Sequence, residues 1–111
     1  MARYIILAFT NPVEGREAEY HHWYNNIAVP AYKTIPGLVH HGRYRIADVP
    51  KHYDFARDSE WQYCSLYSFE TDDYEDFAAN AGAALAAVKE YSFSDTIDKA
   101  SFFEPTFVQM D

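Results

Sequence analysis

Two histidine pairs, His21-His22 and His40-His41, are the residues of this sequence best suited to moving protons near neutral pH. His21 and His22 sit where apolar and aromatic residues recur at helical spacing. Neighbours on a helix point about 100° apart, so at most one of them faces a pocket. His40 and His41 lie in a strand-like stretch, where alternation sends one to each face of a sheet. Simple alternation places His40 beside Tyr44, a base and a phenolic donor on one wall. That is the pairing needed to remove a proton next to a carbonyl and to stabilise the resulting oxyanion.

Aromatic residues make up 18% of the chain, and Tyr alone accounts for ten of them. Such residues bury large areas, and Tyr keeps a polar handle that must find a partner when buried. Tyr24, Tyr63 and Tyr67 with Trp23 and Trp61 read as a wall for a ring-containing ligand, with Tyr24 and Tyr67 the expected ligand contacts. The expected catalytic residues are His22, His40 and Tyr67. The expected substrate contacts are His21, Trp23, Tyr24, Tyr44 and Tyr63. Arg43 and Arg45 fall on the strand face opposite His40 and read as ion-pairing residues. Cys64, beside Leu66, reads as a small buried apolar residue.

Several chemistries lack their required parts. Glu17 and His21 stand at i and i+4, but no recognised metal-ligand spacing completes a site, so no metal is expected. Gly-rich phosphate loops, a nucleophile elbow and CxxC are absent, so no cofactor is expected either. The formal net charge is −8 and the nine basic residues are scattered, which excludes nucleic acid and an anionic membrane surface as partners. No apolar run is long enough to span a bilayer. Met1 to Thr10 has the composition of a first strand rather than of a signal peptide, and the single cysteine fits a cytoplasmic protein.

These residues need elements to hold them. Arg3 to Thr10 reads as a strand ending at the turn Asn11-Pro12-Val13-Glu14-Gly15. A helix follows, with Tyr20, Trp23, Tyr24 and Ile27 on its apolar stripe, and Pro30 is expected to interrupt it. Leu38 to Ala47 and Trp61 to Phe69 read as strands. Between them the polar stretch Asp48 to Glu60 is long for a connection and is expected to act as a lid. Thr71-Asp72-Asp73 caps a second helix running to about Glu90, with Phe77, Ala78, Ala81, Leu85 and Val88 on one side. Ser92 to Lys99 reads as a weak turn or short helix, and Ala100 to Gln109 as a last strand at a sheet edge because of Pro105.

The order β-α-β-β-α-β predicts one α+β domain of ferredoxin-like type, with two helices on one face of an antiparallel sheet. The other face is then bare and apolar, and packing it on a second copy makes a homodimer. The turn Asn11 to Gly15, the helix segment Glu19-Tyr20-His21-His22-Trp23-Tyr24-Asn25-Asn26-Ile27, and Val29-Pro30 leading to Ile35-Pro36-Gly37-Leu38 resemble the dimeric α/β-barrel superfamily, in particular its EthD-like and polyketide-cyclase-like small proteins. Where such relatives often carry a histidine before the aliphatic-Pro step, this chain has Ala28, so an acid-base role falls to His21, His22 or His40.

Together, the residues and the resemblance imply a cofactor-independent enzyme acting on a small aromatic or polyketide-like compound by cyclisation, isomerisation or elimination. The alternatives on the same fold are a monooxygenase, cofactor-free or haem-binding, and a non-catalytic ligand-binding accessory protein.

Overall fold

A computed structural model describes all residues, Met1 to Asp111. The strands are β1 (Ala2–Thr10), β2 (Val39–Arg45), β3 (Tyr63–Thr71) and β4 (Thr106–Val108). They form a four-stranded sheet in the order β2-β3-β1-β4. All its pairings are antiparallel, with β2 and β4 at the edges. The helices are α1 (Glu17–Trp23), continued by a π-helical turn (Tyr24–Ala28) into α2 (Val29–Tyr32), and α3 (Tyr74–Ala86). The α+β class and the ferredoxin-like element order agree with the sequence reading.

Register assigns the faces. Tyr4, Ile6, Ala8 and Thr10 of β1 pair with Phe69, Tyr67, Ser65 and Tyr63 of β3, so these eight share one face. Helix α1 is pinned to that face by a hydrogen bond between the buried hydroxyls of Tyr20 and Thr10. Helix α3 lies on it through Phe77, whose ring stacks on Phe69 with centroids 3.9 Å apart. Asp73 caps α3 by accepting from the Asp76 N–H, as its sequence predicts. Ile5, Leu7, Phe9, Leu66 and Phe107 point the other way, where no helix covers them.

The one-sided arrangement shows in the dimensions. Only 15 of 111 residues are buried, and the chain is a slab 42 × 38 × 21 Å. Its radius of gyration of 15.4 Å exceeds the roughly 13 Å expected of a compact chain this long. A thickness of 21 Å accommodates one layer of helix on one layer of sheet and no third. The buried cluster sits between those layers: Tyr20, Trp23, Tyr24, Ala28 and Ile97, with Tyr32, Tyr91 and Phe102 packed against it.

Three expectations are corrected. Pro30 does not interrupt the first helix. The Val29 N–H reaches back five residues to the Tyr24 carbonyl, and this widened turn gives the proline ring the room that a regular α-turn denies it. The last strand is far shorter than Ala100 to Gln109, because Lys99–Ser101 forms a 3₁₀ turn and only Phe103, isolated from β4, bridges β1 before Pro105.

The third correction concerns β2. His40 pairs with Tyr67 and Gly42 with Leu66, so His41 is an extra residue in a β-bulge. Every side chain after it changes face. Arg43 and Arg45, opposite Ser65 and Tyr63, join His40 on the helix side, while Tyr44, opposite Cys64, turns to the bare side.

Gly42 makes the bulge possible. Its φ of +146° is a conformation that L side chains rarely adopt, and an added Cβ would meet the Tyr44 ring at 3.5 Å. Gly42→Ala is expected to lower stability by about 1–3 kcal/mol in urea unfolding. Gly82→Ala, in the open interior of α3 with nothing within 4 Å, is expected to raise it by about 0.5–1 kcal/mol. Equal effects at the two positions would contradict the bulge.

Candidate functional site

Between the helices and the sheet lies an apolar cavity of about 190 Å³, lined by twelve residues of which eleven are hydrophobic. A dry cavity of about 150 Å³ holds benzene, so this one has room for one substituted ring. The floor is Ala8 of β1 and Tyr67 of β3, the helical wall is Trp23, Tyr24 and Tyr32, and Ile35 and Leu38 close the end beside β2. The cover is Leu85 with Tyr91, Phe93, Phe102 and Glu104 from the irregular segment after α3. That segment is held in place by hydrogen bonds from the Trp23 indole to the Ser92 carbonyl (2.9 Å), from the Val13 N–H to Thr96 (2.7 Å) and from the Asp98 N–H to Asn11 (2.9 Å). Asp48 to Glu60 contributes nothing to the lining, which corrects its reading as a lid over this space.

Burial shapes the protonation of the wall. The Tyr24 phenol is pushed up to about 12, and those of Tyr32 and Tyr67 are raised further, in each case chiefly by desolvation. All three stay protonated at neutral pH and act as hydrogen-bond donors. Tyr32 and Tyr91 join hydroxyls at 3.1 Å.

Tyr67 leads out of the cavity to a histidine. The Ser65 hydroxyl donates to the Tyr67 oxygen at 2.9 Å and lies 3.1 Å from His40 Nε2, while the His40 and Tyr67 rings sit 5.0 Å apart. Ser65 and Tyr67 are both buried. With the Ser65 hydrogen on Tyr67, the Tyr67 hydrogen is left without an acceptor in the chain and is free for a ligand oxygen. Reversing both hydroxyls hands a proton to His40 Nε2 instead. Desolvation, followed by the charges of Lys33 and Arg43, lowers the His40 imidazole below its ordinary value of 6.5, so it is neutral and able to accept that proton.

A second polar chain runs past the outer end of the helix. Tyr63 donates to Glu17 at 3.0 Å, His21 Nε2 lies 3.2 Å from the Tyr63 oxygen, and Arg43 donates to His21 Nδ1 at 3.0 Å and to Asn25 at 3.0 Å. Arginine has no acceptor, so His21 Nδ1 must accept and its hydrogen is on Nε2, facing the Tyr63 oxygen. This fixes one neutral tautomer. Desolvation and the Arg43 charge accordingly lower the His21 imidazole. The Arg43 guanidinium also lies 4.5 Å from the Tyr24 ring centroid, backing the cavity wall with a cation-π contact.

Of the residues singled out from the sequence, the structure brings Trp23, Tyr24 and Tyr67 to the cavity and connects His40 to it. His22 is exposed and bonded to its neighbour Asn26 at 3.1 Å. Tyr44 is exposed on the opposite sheet face, a consequence of the bulge, and so does not share a wall with His40. His21 and Tyr63 occupy each other and Glu17 rather than the cavity, so they are not ligand contacts there. No group of three or more His, Cys, Asp or Glu side chains is arranged to hold a metal ion. Sequence reasoning missed Ser65, Tyr32, Tyr91, Phe93, Phe102 and Glu104. The aromatic density from Tyr91 to Phe103 was the available signal.

No family model matches the chain, and neither a curated protein nor a solved structure matches it. No helix is long and apolar enough to cross a membrane.

Both perturbed histidines bind protons less readily when folded than when unfolded. The unfolded state therefore takes up more protons below about 6.5, and stability is lost as pH falls through that value. The urea midpoint is expected to drop between about pH 7.5 and pH 5.5. In His21→Gln, where an amide can accept from Arg43 and donate to Tyr63, the drop should be smaller. An identical pH dependence in the variant would show that His21 is not held neutral.

Proposed function

We propose that this protein is a cofactor-independent enzyme that carries out general acid-base chemistry on a small aromatic or polyketide-like ring compound bound between helices and sheet. One observation carries the reading: Tyr67 in the cavity wall is hydrogen-bonded through Ser65 to His40. A proton on a saturated ring carbon next to a carbonyl passes to the Tyr67 oxygen as Tyr67 gives its own to Ser65 and Ser65 gives its own to His40. The ring keeps the electron pair as an enolate or phenolate, and His40 becomes the imidazolium. Return of the proton to another ring position completes an isomerisation, and its delivery to a leaving oxygen completes an elimination. Hydroxyls can serve in both directions because each is donor and acceptor.

This chemistry can be tested before the natural substrate is known. Resorcinol-type rings exchange ring protons in D₂O through their keto tautomers, whose saturated carbon gains a deuteron and then loses a proton, and NMR reads the rate. The wild type is expected to accelerate exchange. Tyr67→Phe and His40→Gln are each expected to cut the enzymatic rate by about 10²–10⁴, the usual contribution of a positioned acid or base, while His22→Gln leaves it unchanged. Rates untouched by both Tyr67→Phe and His40→Gln would refute the proposal. Binding without exchange in the wild type would instead make the protein a ligand carrier.

The bare sheet face supports a homodimer of dimeric α/β-barrel type, in line with the resemblance of the first helix and its flanking turns. Val39, Tyr44 and Phe107 are each about half exposed there (51%, 52% and 52%). A four-stranded face of roughly 20 by 25 Å buries about 1,000 Å² over two copies, near the lower bound for a stable specific interface. Light scattering on the eluting protein is expected to give twice the chain mass, and Leu66→Lys to give the monomer. A monomeric wild type at micromolar concentration would remove the dimer.

A further inference from the structure

Glu104 is the one charged residue in the cavity lining. Glu104 is an exposed residue at the rim of the cavity; its carboxyl is pushed above the usual carboxylate range by desolvation against the apolar lining, and no side chain of the protein pairs with it. Its charge is felt by the phenols of both Tyr24 and Tyr67, each held further toward the protonated form by it. Arg43, the nearest guanidinium to this wall, is engaged with His21 and Asn25 behind Tyr24 and is not part of the lining.

We infer that Glu104 is the specificity residue of this cavity, admitting ring compounds that carry a hydroxyl donor and excluding ring carboxylates. The inference rests on the cavity being a ligand site and says which ligands it takes. A carboxylate beside an apolar lining is only partly hydrated, and an incoming O–H offers it a charge-assisted hydrogen bond. A ligand carboxylate meets the opposite situation. It would lose its own hydration in an apolar cavity, find no cation, and stand near a like charge. The two polar groups of the lining are complementary, since the Tyr67 hydroxyl donates to an oxygen while Glu104 accepts from one. A ring with two oxygens, one an acceptor and one a donor, satisfies both groups at once.

A series of para-substituted toluenes tests this on the full chain, with tryptophan fluorescence and ligand-observed NMR as readouts: toluene, p-cresol and p-toluate at neutral pH. The wild type is expected to bind toluene and p-cresol and to reject p-toluate. In Glu104→Leu the preference for p-cresol over toluene should fall about tenfold, the usual worth of a hydrogen bond to a charged group. In Glu104→Gln, which keeps shape and removes charge, the discrimination against p-toluate relative to toluene should shrink. Toluene binding retained in both variants shows that the cavity is still folded.

An unchanged p-cresol to toluene ratio in Glu104→Leu overturns the assignment, as does p-toluate binding to the wild type as tightly as p-cresol. Failure of all three probes to bind the wild type overturns the cavity reading itself, and this inference with it.

Discussion

The structure turns on one extra residue in an edge strand. A side chain in a sheet has only two directions available, and β2 changes its assignment part-way along because His41 has no partner across the ladder. Up to His40 the strand sends even-numbered residues toward the helices; from Arg43 onward it sends odd-numbered ones. Without the bulge, His40 and Arg43 would lie on opposite faces. With it, Arg43 reaches over the ring of Tyr24 and fixes His21, while His40 keeps its contact with Ser65. Both polar chains on the helix side therefore depend on the backbone of Gly42, whose φ of +146° few other residues tolerate.

A second departure from regular geometry builds the cavity wall. The π turn from Tyr24 to Ala28 lets one helical run carry Trp23, Tyr24 and Tyr32 to the same space and pass Pro30 without breaking. Ala28 and Ala31, almost wholly buried, let this run sit close to its neighbours. The segment after α3 then closes the space with aromatic rings rather than with regular structure. Two backbone hydrogen bonds, from the Val13 N–H to Thr96 and from the Asp98 N–H to Asn11, tie it to the turn at Asn11–Val13 and hold an irregular chain over an apolar site. The high aromatic share of the sequence is accounted for here: rings line the cavity, stack under α3, and surface again on the bare face at Phe9, Trp61 and Phe103.

What the sequence discloses follows from which interactions are periodic. The alternation of Tyr63, Ser65, Tyr67 and Phe69 is uninterrupted, so the face of β3, and with it Tyr67, is readable. Tyr20, Trp23 and Tyr24 keep helical spacing, and Asp73 precedes α3 as a cap should. The bulge has no period. A glycine in a strand is compatible with one, but whether it shifts the register is settled by what β3 offers opposite, and that is a long-range matter. Alternation therefore pairs Tyr44 with His40 by a rule that holds only for unbroken strands. Glu104, Tyr91 and Phe93 lie in a segment without repeat, and their convergence depends on tertiary hydrogen bonds to a turn some eighty residues earlier. His22 and His21 illustrate a different limit: a histidine on a helix beside aromatic residues has no local mark showing whether it faces a cavity, a neighbour or water.

The placement of the histidine one step behind the cavity resolves a conflict between two demands of the same chemistry. A site that holds an apolar ring must be dry, and dryness drives an imidazole toward its neutral form while slowing its exchange of protons with water. His40 is only partly buried, so it retains contact with solvent, whereas Tyr67 and Ser65 are buried. Desolvation acts on the two ends of the chain in opposite senses, lowering the imidazole and raising the phenol. Tyr67 thus stays a donor inside the cavity while His40 stays an acceptor at its edge. A single residue cannot be both buried enough for the first role and wet enough for the second. Dividing the work across His40, Ser65 and Tyr67 lets one proton path connect an apolar cavity to water at its edge.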